Sequence, residues 1–198
     1  MSWQIGLLLL PGLVVGLTIH EAAHALSAKW LGDRGPQKAG RITLNPFKHL
    51  SPLGTLALFV LGFGWGKPVV VNLYNFKKPK LYYLLSSLAG PASNLMLSAI
   101  ALAVLYLRPP LLITYVFISI FLVNAILAVV NLLPVPPLDG SKIWPCIIPG
   151  ARPTVSAKWS KIWMAVLLVC FFTGAIGRII RPILNMLMSL LPPNLLNF

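Results

Sequence analysis

The sequence predicts an all-α polytopic membrane protein with about four long transmembrane helices, a short re-entrant segment and a small membrane-surface β-sheet. Three observations predict it. Of 198 residues, 58% are hydrophobic and 10% charged, whereas soluble domains run near about a quarter charged. Mean hydropathy is +0.85. Apolar runs of roughly 20 residues, the length that crosses a bilayer, recur along the chain. A net charge of +13 would suit a nucleic-acid binder, but such proteins carry solvated basic faces. Long apolar runs point to membrane lipid instead, and no nucleic-acid partner is expected.

The four spans are expected at 3–28, 81–107, 111–135 and 159–191, the last with a break near Gly174 and Gly177. The first has no basic residues ahead of its apolar run, so it is expected to stay in the mature protein rather than act as a cleaved signal. The run 53–65 is too short to span and contains Gly54, Gly62 and Gly64, which predicts a re-entrant or interfacial piece. Topology supports that choice. Lys29, Arg34, Lys38, Arg41 and Lys48 precede the short run, and Lys67, Lys77, Lys78 and Lys80 follow it. A full crossing would place these two basic groups on opposite sides, against the cytoplasmic preference of Lys and Arg. A re-entrant segment puts both inside together with Lys142, Arg152, Lys158 and Lys161, and the N-terminus then lies outside.

Two stretches, Arg41-Ile42-Thr43-Leu44 and Val69-Val70-Val71-Asn72, are β-branched and bounded by Pro46, Pro68 and glycines. They suggest the small sheet, with irregular loops as the equal alternative. The two cysteines, Cys146 and Cys170, match no Cys-x-x-Cys spacing and predict neither a disulfide nor a thiolate metal site. Residues 1–198 are expected to form one domain, with a core at 5–145 and a C-terminal helical segment at 159–191.

The chain has three carboxylates, Glu21, Asp33 and Asp139. His20-Glu21-Ala22-Ala23-His24 is an H-E-x-x-H sequence within the first span, and a shuffle of this composition would produce one roughly twice in ten thousand chains. On a helix the two histidines share a face and can reach one Zn2+, with the glutamate beside the metal but outside its ligand shell. An ionisable residue inside a span marks function by default. A third ligand is needed; Asp33, Asp139 and His49 are the candidates. Asp139 matches the histidines in depth, although Asp139-Gly140 alone reads as an ordinary turn. Asp33 after Gly32 reads as a solvated turn or helix-capping residue, and His49 as a surface histidine.

These residues resemble the site-2 protease family of intramembrane zinc metalloproteases, peptidase family M50. The resemblance rests on the H-E-x-x-H sequence, on Leu138-Asp139-Gly140 after Asn131-x-x-Pro134, and on Gly90-Pro91-Ala92-Ser93-Asn94 in the intervening span. Leu44-Asn45-Pro46 with His49, and the stretch from Gly66 to Asn72, look like the compact prokaryotic branch without a PDZ or CBS domain. The resemblance implies that His20, His24 and Asp139 bind one Zn2+ per chain and that Glu21 is the catalytic carboxylate. It also suggests Asn94 near the site, contacting substrate or a developing oxyanion, against a plain helix-packing role for that residue.

The expected activity is an intramembrane zinc endopeptidase acting in regulated intramembrane proteolysis. It would cut single-pass transmembrane substrates from a prokaryotic plasma membrane, with its active site toward the cytoplasm. Two other readings use the same residues: a non-catalytic zinc transporter or sensor, and a helix-binding pseudoprotease. Glu21 separates them, because a mere binding site does not require it.

Overall fold

The computed structural model describes residues 3–61, 64–153 and 156–195. Helix α1 (Trp3–Leu31) is followed by a single turn, α2 (Gly35–Lys38). Then come α3 (Pro52–Leu61), α4 (Pro79–Tyr106), α5 (Leu111–Asn131) and the short α6 (Gly140–Ile147). The described chain closes with α7 (Ala157–Phe172) and α8 (Ala175–Ser189).

Three helices, α1, α4 and α5, are long and apolar enough to cross a membrane, and α7 with α8 make a fourth span if that pair, bent by 71°, counts as one. The bend falls at Gly174, whose φ of +73° is left-handed backbone that glycine adopts without strain. The expected break near Gly174 is therefore a helix boundary.

The three long helices pack on one another pairwise. Small residues allow it. A side chain at Gly12 would run into the backbone of Ser119, and one at Gly16 into Asn124, so glycine lets α1 lie close against α5. The Gly12 N–H donates to Ser119 Oγ at 2.9 Å. Between α4 and α5, Ala101, Leu105, Phe121 and Ala125 form an apolar core closed by Leu187 and Leu191. Leu8, Ile100 and Leu112 are exposed, as lipid-facing residues of a span should be.

The expected β-sheet is not formed among the described residues. The one β contact there is an isolated antiparallel bridge between Leu50 and Gly66. The reason lies in where the backbone N–H groups go. The chain at 67–72 carries no helix or strand, but the N–H of Val69 donates to Glu21 Oε2 at 2.6 Å and that of Asn72 to Asp33 Oδ2 at 2.7 Å. Carboxylates of the α1 region take the bonds that a neighbouring strand would otherwise supply. Most of the short run 53–65 lies in the ten-residue helix α3; residues 62–63, which include Gly62, lie outside the described residues.

Candidate metal centre

His20 and His24 stand one turn apart on α1, and each imidazole is fixed through Nδ1. His24 Nδ1 lies 2.7 Å from the carbonyl oxygen of Ser86. A carbonyl only accepts, so Nδ1 carries the proton. Pro91 lies inside α4 and has no N–H for the Ser87 carbonyl four residues back, which loosens the helix next to Ser86. His20 Nδ1 lies 2.5 Å from Asn94 Oδ1. The Asn94 amide nitrogen donates to Gly16 O at 3.2 Å and to Asn124 Oδ1 at 2.7 Å, which turns its oxygen toward His20. Both Nε2 atoms are then bare and available as ligands.

Asp139 arrives from the turn between α5 and α6. Its neighbour Gly140 has no room for a side chain, because a Cβ would strike the carbonyls of Leu132 and Leu133. Asp139 Oδ2 lies 3.0 Å from each histidine Nε2, and the two Nε2 atoms are 3.1 Å apart. Its other oxygen, Oδ1, accepts from Lys142 Nζ at 2.8 Å. Burial opposes ionisation of Asp139, but the two imidazoles and the Lys142 ammonium outweigh it and hold the carboxyl well below the usual carboxylate range.

The donor chemistry fits a metal. Three lone-pair atoms meet at about 3 Å with no hydrogen between them once both Nδ1 atoms hold the protons, an arrangement that repels unless a cation fills it. Atoms bound to one tetrahedral Zn2+ at about 2.0–2.1 Å lie about 3.3 Å from each other. Gly90 completes the cradle, since a Cβ there would fall on His20 and His24 Nε2. Among the described residues, His20, His24 and Asp139 are the group of His, Cys, Asp and Glu able to hold a metal ion.

Glu21 is also buried, at 8% exposure. Its Oε2 accepts the Val69 N–H and lies 3.9 Å from Arg41 Nη2. A cavity of ≈ 280 Å³ adjoins His24, lined by Pro68, Val69, Val70, Ser86, Pro137 and Lys142 among others. Asn94 is fully buried and meets His20 rather than this cavity.

Two residues expected at the surface are not there. Asp33 is 1% exposed and His49 0%; His49 Nε2 donates to Thr43 O at 2.8 Å, closing the loop ahead of α3. Asn124, which the sequence reading passes over, is fully buried. An amide in the middle of an apolar span was its available signal.

Fold and site define a class: a helical integral membrane protein in which two histidines and one carboxylate able to hold a metal ion are buried together. The family model described as Peptidase family M50 matches residues 109–174. The chain is 42% identical over 186 residues to "Putative zinc metalloprotease YwhC" of Bacillus subtilis (strain 168), across 87% of this chain and 84% of that protein. It is 31% identical over 187 residues to "Putative zinc metalloprotease Rip2" of Mycolicibacterium smegmatis, across 87% and 69%. For the protein of the same name from Mycobacterium tuberculosis (strain H37Rv), identity is 31% over 182 residues, across 86% and 68%. No solved structure matches. The chain belongs to peptidase family M50, the site-2 protease family of zinc metalloproteases.

Proposed function

We propose that this protein is an intramembrane zinc endopeptidase that hydrolyses peptide bonds in or near the transmembrane helices of single-pass membrane proteins, in regulated intramembrane proteolysis. The observation that carries the reading is the convergence of three bare ligand atoms from His20, His24 and Asp139, next in sequence to a buried carboxylate that is not part of the group. In this reading the three residues hold one Zn2+ per chain, and residues 1–198 act as a single domain built on the core 5–145.

Zinc, when bound, supplies Lewis acidity that polarises a carbonyl and acidifies water. Glu21 then works as general base at Oε1, because Oε2 is engaged by the Val69 N–H. It takes a proton from the attacking water and returns it to the leaving amine. Asn94 and the Ser86 carbonyl keep the imidazoles aimed, so the ligand geometry needs no rearrangement during reaction. The cavity beside His24 admits water and an unwound stretch of substrate. A helical substrate must unwind there, since its carbonyls are otherwise closed in i to i−4 bonds. The basic loops support a reading in which this end faces the cytoplasm of a prokaryotic plasma membrane and the N-terminus lies outside.

The test uses the full chain reconstituted with a single-pass substrate, comparing wild type with Glu21→Gln for cleavage and bound zinc. Loss of cleavage with about one zinc per chain retained is expected. Unchanged cleavage in Glu21→Gln refutes the mechanism, and zinc flux through vesicles without cleavage favours a transporter.

A further inference from the structure

All three carboxylates of the chain are buried, yet the mechanism uses only two. Asp33 lies just past α1, after Gly32, whose φ is +119°. It is met by three N–H groups. Oδ1 accepts from Gly35 N at 2.9 Å and from Asn75 Nδ2 at 2.7 Å, and Oδ2 from Asn72 N at 2.7 Å. A local turn would need the first alone. The other two come from about 40 residues onward in sequence, and burying a carboxylate requires such bonds.

Those two donors belong to a strap, residues 66–75, that runs without helix or strand to a single 3-10 turn at Leu73–Asn75. At its start, Lys67 N donates to His49 O at 2.6 Å and the Arg41 guanidinium to Lys67 O. In its middle, Val69 N–H holds Glu21. Val70 is 82% exposed, while Val69 is buried and Val71 and Leu73 pack beside Ala28 and Leu31 of α1. Apolar contacts therefore seat the strap against α1 and hydrogen bonds set its register, and Asp33 accepts two of them.

We propose that Asp33 is a positioning residue for Glu21, acting through this strap. The proposal rests on the protease reading above. Asp33 fixes the strap at Asn72 and Asn75, the strap fixes the Val69 N–H, and that N–H holds Glu21 Oε2 so that Oε1 is the free oxygen. Releasing the anchor leaves the metal ligands in place, since their hydrogen bonds run to Ser86, Asn94, Lys142 and one another rather than to the strap, but frees Glu21 to sample unproductive rotamers. A misplacement of about 1 Å in such a group costs about 100-fold in rate.

The experiment compares full-length wild type, Asp33→Asn, Asp33→Ala, Asn75→Ala and Asp33→Ala/Asn75→Ala in three measurements: bound zinc, kcat and KM on a single-pass substrate, and amide hydrogen exchange across 66–75. Expected for Asp33→Ala is a kcat reduced about 10- to 100-fold, a KM within about threefold of wild type, full zinc content and faster exchange at Val69. Asp33→Asn, which keeps one acceptor oxygen, should recover part of the loss. Asn75→Ala alters no buried charge and should show a smaller drop of the same kind. The double variant should resemble Asp33→Ala, because both changes release one anchor; independent damage would multiply instead.

Unchanged kcat, unchanged Val69 exchange, multiplicative losses, or zinc lost together with kcat would each overturn the proposal. Failure of the protease reading looks different. A wild type that binds zinc and cuts nothing overturns that reading and the catalytic role of Asp33 with it, while the exchange data still report whether Asp33 holds the strap.

Discussion

His20 Nδ1 and Asn94 Oδ1 lie 2.5 Å apart in a fully enclosed contact between α1 and α4. The pair is the first link of a chain. Asn94 is itself oriented by Asn124, whose amide nitrogen donates to Gly12 O at 3.3 Å and Ile120 O at 2.8 Å. A side chain on α5 thus sets the tautomer of an imidazole on α1. Partners behind a metal ligand typically contribute about 10- to 100-fold in affinity. Asn94→Ala should weaken zinc binding by about that factor, and Asn124→Ala by a smaller one, measured by competition with a fluorescent chelator. Wild-type affinity in both would show that the His20 tautomer needs no such support.

Gly90 sets two effects against each other. Alanine in place of glycine inside a helix stabilises by about 0.5–1 kcal/mol through backbone entropy. At this position, however, the new methyl would meet both histidine Nε2 atoms, and the rings are pinned behind by Ser86 and Asn94. Steric exclusion should win. Gly90→Ala is expected to fold, keep its helix content by circular dichroism and lose bound zinc; normal zinc content would mean that the rings have room to retreat.

The spans were readable because a bilayer imposes length and apolarity, and the kink at Gly174 because glycine is the residue that tolerates φ of +73°. The grouping of His20 with His24 follows from helical spacing alone. What escaped was decided by partners distant in sequence. Val69 to Asn72 has strand character, but its N–H groups find Glu21 and Asp33 rather than a strand. Gly32-Asp33 carries the same local signal whether it is solvated or buried, and only the fold brings Asn72 and Asn75 to it. His49 has no local pattern that distinguishes a surface ring from one that closes the loop at Thr43.

Chelation should expose the strain of the metal centre. Without a cation, two imidazole nitrogens and a carboxylate oxygen face each other at 3.0–3.1 Å, and protons are the remaining way to relieve their repulsion. Zinc binding to the folded state alone adds RT ln(1 + [L]/Kd), about 4 kcal/mol at a thousandfold excess over Kd. EDTA treatment is expected to lower Tm in detergent by several degrees, with restoration by added Zn2+. An unchanged Tm would show that the ligands do not bind zinc in the folded protein.

The Asp139–Lys142 pair should contribute a stability to the metal-free protein that is constant across the neutral range. Burial by itself would raise the Asp139 pKa and lower that of Lys142, but the two imidazoles, with Lys142 adding to them, hold Asp139 well below its ordinary value of 3.8, and the Asp139 carboxylate holds Lys142 above 10.5. A depressed carboxylate contributes stability above its unfolded pKa and loses it as pH falls through the folded one. A raised ammonium contributes below its unfolded pKa and loses it as pH rises through the folded one. Both contributions are complete between about pH 5 and 9. The Lys142 side chain is 31% exposed, so solvent screening limits the pair to about 1 kcal/mol, or about 2–4 °C in Tm for a chain of this size. Replacing Lys142 with Met in chelated protein should lower Tm by that amount, uniformly from about pH 5 to 9, with the difference shrinking above about pH 10.5 as wild type loses its ammonium. A difference that drifts within the neutral window would mean that another group titrates against Asp139.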